Sequence, residues 1–533
     1  MSAIPTLDGR KVYDTYRPGV TGRWDAIVVG SGMGGMACAA ALARHGRRVL
    51  VLEQHYVPGG FTHSFARKGW RWDAGVHALG EMRPTDPPGR MLRWLTGGRL
   101  ELEPLGNPYD TFRFHDGFRI DLPDRRAGYL AVLKDAFPEQ ATQIERYVET
   151  VRQVAREAMP FFALKSLPEA VDVAGSRLLA LAGKRDWWGV TTARVLDEHG
   201  ITGKLRTVLT LHWGYYGSLP HESSFAIHAL THVHFWNGAY YPRGGSQQIA
   251  AHLLGAVREA GGETLVRADV AGLVVERGRA VGVRLRDGAE LRAPVVVSAA
   301  GARTTVERLV PDRLRHSAWG RSIVALRDSP GYLCLNLGFE GDIAAAGASR
   351  ANLWLFETWE ERLRFWDLAD PDSRAPILYV SFPSLKDPDH DPGPEQRHTG
   401  ECITFVDAEL FARWAGTEQG RRPADYQAFK RDVEDRMVAH LEARIPDVMK
   451  HAVYRELSTP LSTEHFARAS GGAIYGLEAT PERFGCKRLR TRTPLPGLYM
   501  TGVDVASLGV VGAMTSGLLT AATLEPRVYR QLV

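Results

Sequence analysis

The stretch DAIVVGSGMGGMACAAALARHGRRVLVLE, Asp25 to Glu53, decides the fold. An apolar strand at 26–29 runs into a glycine turn, a small-residue helix carries Ala37 to Ala43, and a second apolar strand ends on an acid. Gly30, Gly32 and Gly35 form GxGxxG, with Met33 and Gly34 inside it. That spacing lets the chain turn tightly, brings backbone N–H groups against a pyrophosphate, and packs the helix close to the sheet. The phosphate then meets the positive end of the helix. Glu53 stands where a ribose 2′-hydroxyl is bound, and its charge repels a 2′-phosphate, so the pattern reads as a site for FAD or NAD rather than NADP.

What flanks this unit tips the reading to FAD. Pro58-Gly59-Gly60 follows Glu53 and precedes GWRWDAGVHALG (69–80), read as one strand. A glycine pair there lets the chain pass beside a bulky ring system. Near the C-terminus, PGLYMTGVDVASLGVVGAMTSGLL (496–519) delivers Gly502 and Asp504 from a strand, and Gly509 and Gly512 open a helix. An acid in that position can hold ribityl hydroxyls. The helix N-terminus would favour the anionic edge of a reduced flavin by ~1–2 kcal/mol.

The chain of 533 residues exceeds what one core usually organises, which points to two interleaved domains. A hydrophobic content of 44%, 24% charged residues and a net charge of +5 without a basic arm argue against nucleic-acid binding. Cys38, Cys334, Cys402 and Cys486 lie far apart with no CxxC, so neither a disulfide framework nor a metal is expected, and a reducing cytoplasm fits. No signal pattern or bilayer-type span stands out, although contact with a membrane surface stays open.

A second strand and helix unit occupies 238–310, with a helix over 246–259 and strands near 263–268, 270–276, 280–286 and 294–299. Residues 126–237 are mostly helical in pattern, and 310–485 mix strands with a helix near 422–442. The expected class is α/β: a discontinuous Rossmann-type FAD-binding domain (20–100, 238–310 and 490–533) interleaved with an α+β substrate domain (101–237 and 311–489) that carries a helical cap.

Taken together, GGFTHSF (59–65), DAGVHALG (73–80), ESSFAIHAL (222–230), NGAYYPRGGSQQIA (237–250), YVSFPSLKDP (379–388) and GLYMTGVDV (497–505) resemble the phytoene desaturase, carotenoid isomerase and retinol saturase superfamily of flavoproteins, most specifically its retinol saturase branch. The resemblance spans nearly the whole chain. It implies FAD bound across 30–60, 269–270 and 502–512, with Val270 near the adenine, and chemistry on carbon–carbon bonds of long apolar lipids. Relatives of this kind reduce, oxidise or isomerise, so the direction stays open.

Such chemistry by flavin requires hydride transfer at N5 and a proton moved on the neighbouring carbon. Alternation along 69–80 places Arg71, Asp73, Gly75, His77 and Leu79 on one face, which makes His77 the first candidate for acid/base work. The segment around 212–240 adds Tyr216, Glu222 and His228 as catalytic candidates, beside His212, Tyr215, His232 and Tyr240, for a tunnel lined by aromatic groups with one proton donor. The loop KDPDHDPGPE (386–395) reads as solvated, with no metal. Aromatic and basic residues over 160–190, including Phe161, Phe162, Leu178, Trp187 and Trp188, suit either a helical cap or docking on anionic headgroups, which would ease entry of an insoluble substrate at ~0.8 kcal/mol per buried CH₂.

The leading expectation is an FAD-dependent oxidoreductase that desaturates or saturates a fatty acyl, retinoid or carotenoid chain. With one GxGxxG, its electrons pass to or from oxygen, a quinone or a redox protein. A lipid isomerase, an amine oxidase, and a non-catalytic lipid-binding or escort protein are the alternatives.

Overall fold

The computed structural model describes residues 5–362 and 364–532. Six parallel strands form one sheet in the order Leu498–Met500, Val296–Ser298, Ala26–Val29, Val49–Leu52, Glu263–Val266 and Asp14–Thr15. Its two central strands, Ala26–Val29 and Val49–Leu52, are continuous apolar runs because both faces are covered. Val29 lies level with Leu52 on one side and with Ser298 on the other. The carboxyl ends of these strands therefore emerge together, at Gly30, Glu53 and Ala299, where the strand order reverses. Ligand crevices of doubly wound sheets open at such a point.

The helix Met33–Ala43 is buried on every side, which its sequence MGGMACAAALA allows because no side chain on it is large apart from Met33, Met36 and Leu42. The helix Gly509–Leu524 crosses it very closely. A Cβ on Gly517 would lie 2.5 Å from the carbonyl oxygen of Gly34, and a Cβ on Gly34 would lie 2.6 Å from Cα of Gly502. Glycine is obligatory at that crossing.

A second sheet has seven strands, in the order Arg119–Leu122, Asp110–Phe114, Asn352–Phe356, Ile377–Ser381, Arg397–Val406, Gly331–Glu340 and Ala452–Ser458. All neighbours are antiparallel except Asp110–Phe114 beside Asn352–Phe356. Alternation separates its faces. Leu333, Leu335, Leu355, Leu378, Val380 and Cys402 pack under Val433, Met437 and Leu441 of the long helix Ala424–Arg444. Tyr332, Trp354, Ile377, Tyr379, Ile403 and Phe405 point the other way, toward a layer of helices that includes Ala141–Glu157 and Phe225–Phe235.

The run 69–80 departs from the single strand that its sequence suggests. It pairs as Trp70–Asp73 and again as Leu79–Gly80, with a bent strap between. Asp73 ends the first piece: its carboxylate accepts hydrogen bonds from Ser64 Oγ, Tyr241 OH and Ser246 N, which ties the chain to a different element. Among the described residues, no helix is long and apolar enough to cross a membrane.

Candidate active site

One cavity of about 780 Å³ runs from the carboxyl edge of the parallel sheet to the face of the antiparallel sheet. Its two ends are built differently.

At the first end the wall is mostly backbone. Gly30, Gly32, Met33, Gly34 and Gly35 line it, with Glu53, Gly60, Val270, Gly301, Gly502 and Asp504. Gly30 holds φ +98°, and a Cβ on Gly35 would sit 2.2 Å from its carbonyl oxygen, so the turn closes only with glycine at both places. A Cβ on Gly32 would instead point into space with no protein atom within 4 Å. This residue is left bare for something other than packing. Gly32 is also the N-cap of the helix Met33–Ala43 and offers its first turn no side-chain acceptor, and the helix Gly509–Leu524 is equally uncapped where Gly509, Val510 and Ala513 meet the cavity. Two helix N-termini thus direct partial positive charge into one chamber.

The two acids are used but not exhausted. Glu53 Oε2 accepts from Ser31 N at 2.9 Å and Ser31 Oγ at 2.6 Å, and its Oε1 accepts from His55 N at 2.8 Å. Asp504 Oδ1 accepts from Leu477 N at 2.8 Å, and Oδ2 accepts from Ala302 N at 2.7 Å. A carboxylate offers about four acceptor sites, so each retains capacity toward a ligand hydroxyl while it fixes the surrounding loops. Gly59 hydrogen-bonds Ser31 Oγ from behind, and Gly512 packs on the Ser507 carbonyl one turn into its helix. A bare glycine turn, uncapped helix ends and acids with free lone pairs fit a dinucleotide.

At the far end side chains make the wall. Tyr215, Tyr332, Trp354, Ile377, Tyr379, Ile403 and Phe405 form an aromatic and aliphatic floor. His77 reaches it from the strap 74–78 that the break after Asp73 creates, together with Ala74 and Gly75. Its ring stands edge-on to Tyr379 at 5.2 Å. Tyr215 OH donates to Asp110 at 2.9 Å and accepts from Asn352 Nδ2 at 3.1 Å.

Of the residues singled out around 212–240, Tyr215 lines the cavity and the other six lie elsewhere. His228 is enclosed in the helical layer, with Nε2 2.5 Å from Tyr147 OH and Nδ1 2.8 Å from Tyr216 OH. Burial, with His212 adding to it, pushes the His228 imidazole down to about 3. Burial also pushes the Tyr216 phenol up. Glu222 sits in an ion-pair cluster outside the cavity wall, 2.9 Å from Arg364 and 3.4 Å from Arg327.

The loop 386–395 is split. Asp389 pairs in solvent with Arg243, as a solvated loop should, but Lys386 is fully buried and Asp387 nearly so. Asp110, Asn352, Lys386 and Glu401, which surround the floor, escape a motif search because each comes from a different element. The one available signal is that an acid and an amide stand inside otherwise apolar strands, as in CITFV preceded by Glu401 and NLWLF begun by Asn352.

Residues 28–93 match the family model described as an NAD(P)-binding Rossmann-like domain. The all-trans-retinol 13,14-reductase of Danio rerio is 31% identical over 526 residues, which is 94% of this chain and 86% of that one. The chain belongs to the all-trans-retinol 13,14-reductase family of oxidoreductases. The Homo sapiens reductase of that name is also 31% identical, over 95% of this chain and 87% of its own. A chloroplastic prolycopene isomerase of Arabidopsis thaliana is 25% identical, over 96% of this chain and 84% of its own. Among solved structures, putrescine oxidase bound to putrescine superposes with a TM-score of 0.62 at 17% identity, covering 95% of this chain and 100% of that one. An oxidoreductase from Methanosarcina mazei gives 0.60 at 14% identity, over 92% and 98%. These two likenesses describe the fold that the reductase family shares.

Proposed function

We propose that this chain is an FAD-dependent oxidoreductase that adds hydrogen across, or removes it from, a carbon–carbon bond of a long apolar lipid of the retinoid or carotenoid kind. The observation that carries the reading is the continuity of the cavity, which joins a glycine cradle to an apolar floor with no wall between them. A relative named for all-trans-retinol and another named for prolycopene support the substrate class.

In this reading Gly30, Gly32, Met33, Gly34, Gly35, Glu53, Gly59, Gly60, Val270, Gly502, Asp504 and Gly512 hold the FAD. Two helix N-termini favour FAD over a plain nicotinamide dinucleotide, because a flavin presents both a diphosphate and an edge that turns anionic on reduction. Bound FAD supplies a two-electron hydride donor or acceptor at flavin N5. The chain's own part is to exclude water, orient the substrate and handle a proton. Trp354, Ile377, Ile403 and Phe405 cover the apolar chain, where each buried CH₂ contributes ~0.8 kcal/mol. Tyr215 offers one oriented polar contact, and His77 presents an imidazole to the reacting region. Tyr216 and His228 stiffen the helical wall behind them, and Glu222 ties that wall to Arg364.

Electrons reach or leave the protein through oxygen, a quinone or a redox protein, since GxGxxG occurs once in the first unit and no second nicotinamide motif follows it. Exposed Met159, Val171, Leu178 and Leu181, beside Lys184 and Arg185, support substrate pick-up at an anionic membrane surface. Absence of binding to anionic vesicles at low salt would remove that part.

The test is an anaerobic absorbance titration of the purified protein. A yellow protein is expected whose flavin band bleaches with a saturated substrate, or returns when the pre-reduced protein meets a polyene. A colourless protein that takes up no FAD, or a band moved by amines and by no polyene, overturns the proposal.

A further inference from the structure

Four ionisable side chains, Asp73, Asp110, Lys386 and Glu401, lie buried behind the cavity floor. Lys386 uses its three N–H bonds on the carbonyl oxygen of His77 at 2.8 Å, Asn352 Oδ1 at 2.5 Å and Ser381 Oγ at 2.7 Å. It therefore pins the strap that carries His77 to two strands of the antiparallel sheet. Asn352 extends the connection, donating to Asp110 Oδ1 at 2.7 Å, the same carboxylate that holds Tyr215. Burial pushes the Lys386 ammonium down to about 7, while Glu401, Asp110 and Asp73, in that order, act to keep it charged.

Glu401 sits on the other side of His77. Its Oε1 accepts from Asp73 N at 2.9 Å, and its Oε2 stands 2.9 Å from His77 Nδ1. The separation is that of a hydrogen bond but the angle is not, so Oε2, Nδ1 and the outer Nε2 all lack an aligned partner among the described residues. A relay through this pair requires the imidazole to turn until Nδ1 aligns with Oε2, with Nε2 toward the cavity that His77 lines. Burial is the main influence on the Glu401 carboxyl and pushes it up, toward its protonated form. A carboxyl oxygen and an imidazole buried 2.9 Å apart, neither with an aligned hydrogen-bond partner among the described residues, are costly unless they are used.

We infer that Glu401 and His77 form a proton relay for the carbon–carbon chemistry, with Lys386 as its positioning residue, an inference that rests on the functional reading above. In the saturating direction, His77 gives the Nε2 proton to one alkene carbon while the neighbouring carbon receives hydride from the reduced cofactor. Glu401 passes its Oε2 proton to Nδ1 in the same event. The π bond is replaced by two C–H bonds, the cofactor is oxidised by two electrons, and the imidazole ends neutral in its other tautomer. The negative charge comes to rest on Glu401, opposed by the Lys386 ammonium; between turnovers Nε2 takes up a proton from water and the Nδ1 proton passes back to Glu401, which restores the starting tautomer. Desaturation runs the same steps backwards. Because the charge is created on a buried acid beside a buried cation, no charged imidazole has to face the apolar chamber.

The experiment uses FAD-loaded protein, pre-reduced without oxygen and mixed with a polyene in H₂O and in D₂O. Wild type is compared with His77→Gln, Glu401→Gln and Lys386→Met, with FAD content measured in each. Glu401→Gln keeps size and removes the proton source, so its kcat is expected to fall on the order of 10²-fold with KM nearly unchanged. Its solvent isotope effect should exceed that of wild type. Lys386→Met is expected to lower kcat in the same manner at full FAD content, and His77→Gln to lose at least as much. The relay is overturned if Glu401→Gln or His77→Gln turns over as wild type does, or if each loses its FAD in proportion to its activity. Failure of any polyene to reoxidise the wild-type protein overturns the functional reading instead, and the relay falls with it.

Discussion

The cradle end and the floor end of the cavity enclose neighbouring volumes with opposite means. The cradle is backbone from three short glycine-bearing turns, and its specificity lies in where side chains are missing. The floor is side chains from Tyr215, the strap 74–78 and four strands of one sheet, and its polar groups hold one another through Lys386 and Asn352. A surface made of missing atoms can fail only by being filled. A surface made of linked side chains can fail one partner at a time.

The largest effect should come from filling the cradle, and two glycines separate fold from ligand. Gly35→Val places carbon against the Gly30 carbonyl, where a Cβ already has only 2.2 Å, so little folded protein is expected in a soluble-expression assay. Gly32→Val meets no protein atom within 4 Å of its Cβ. It should melt near the wild-type temperature yet fail to retain FAD through gel filtration. Equal damage from both would erase the distinction drawn between the two glycines.

An intermediate effect is expected at the floor. Asp110→Ala leaves Tyr215 OH and Asn352 Nδ2 without their shared acceptor, and each stranded buried donor costs ~1–3 kcal/mol. Chemical denaturation should show that loss, with FAD still bound. Release of FAD by this variant would mean that the two ends are coupled.

The smallest effect concerns the helical wall. The His228 imidazole is held at about 3 in the fold against an ordinary 6.5, so it takes up its proton more readily once the chain unfolds. A depressed value means that its contribution is complete above pH about 6.5 and is lost as pH falls toward 3. Melting temperature should therefore drop over that interval, and His228→Gln should flatten the slope. An unchanged slope would assign the acid sensitivity to other groups, of which His55, also pushed down to about 3 chiefly by burial, is the first.

The same contrast explains what could be read from the chain. The cradle was legible because its requirements are local: a turn, a close approach and a helix start occupy consecutive residues, and each demands glycine for a steric reason seen again at Gly30, Gly34 and Gly35. His77 reaches the cavity for a reason other than the one its sequence suggests: alternation along one strand points to it, and a break in that strand presents it. Lys386 was hidden by its surroundings. Pro388, Asp389, Asp391 and Gly393 mark a solvated loop, and nothing in that composition says that its first residue turns inward toward Asn352 and Ser381. Glu401 lies within the long strand Arg397–Val406 as a single acid, and only the fold brings it beside His77.

The parallel sheet has a consequence for how such a molecule is born. Its strand Leu498–Met500 pairs with Val296–Ser298, which pairs with Ala26–Val29, so the sheet closes only when almost the whole chain has left the ribosome. At ~5–20 residues per second, the strand Ala26–Val29 waits roughly 10–50 seconds for Val296–Ser298, and the edge strand Leu498–Met500 comes later still. A nascent chain therefore leaves an apolar strand edge unpaired for far longer than a small domain needs to collapse, which is the general condition under which exposed strand edges favour aggregation.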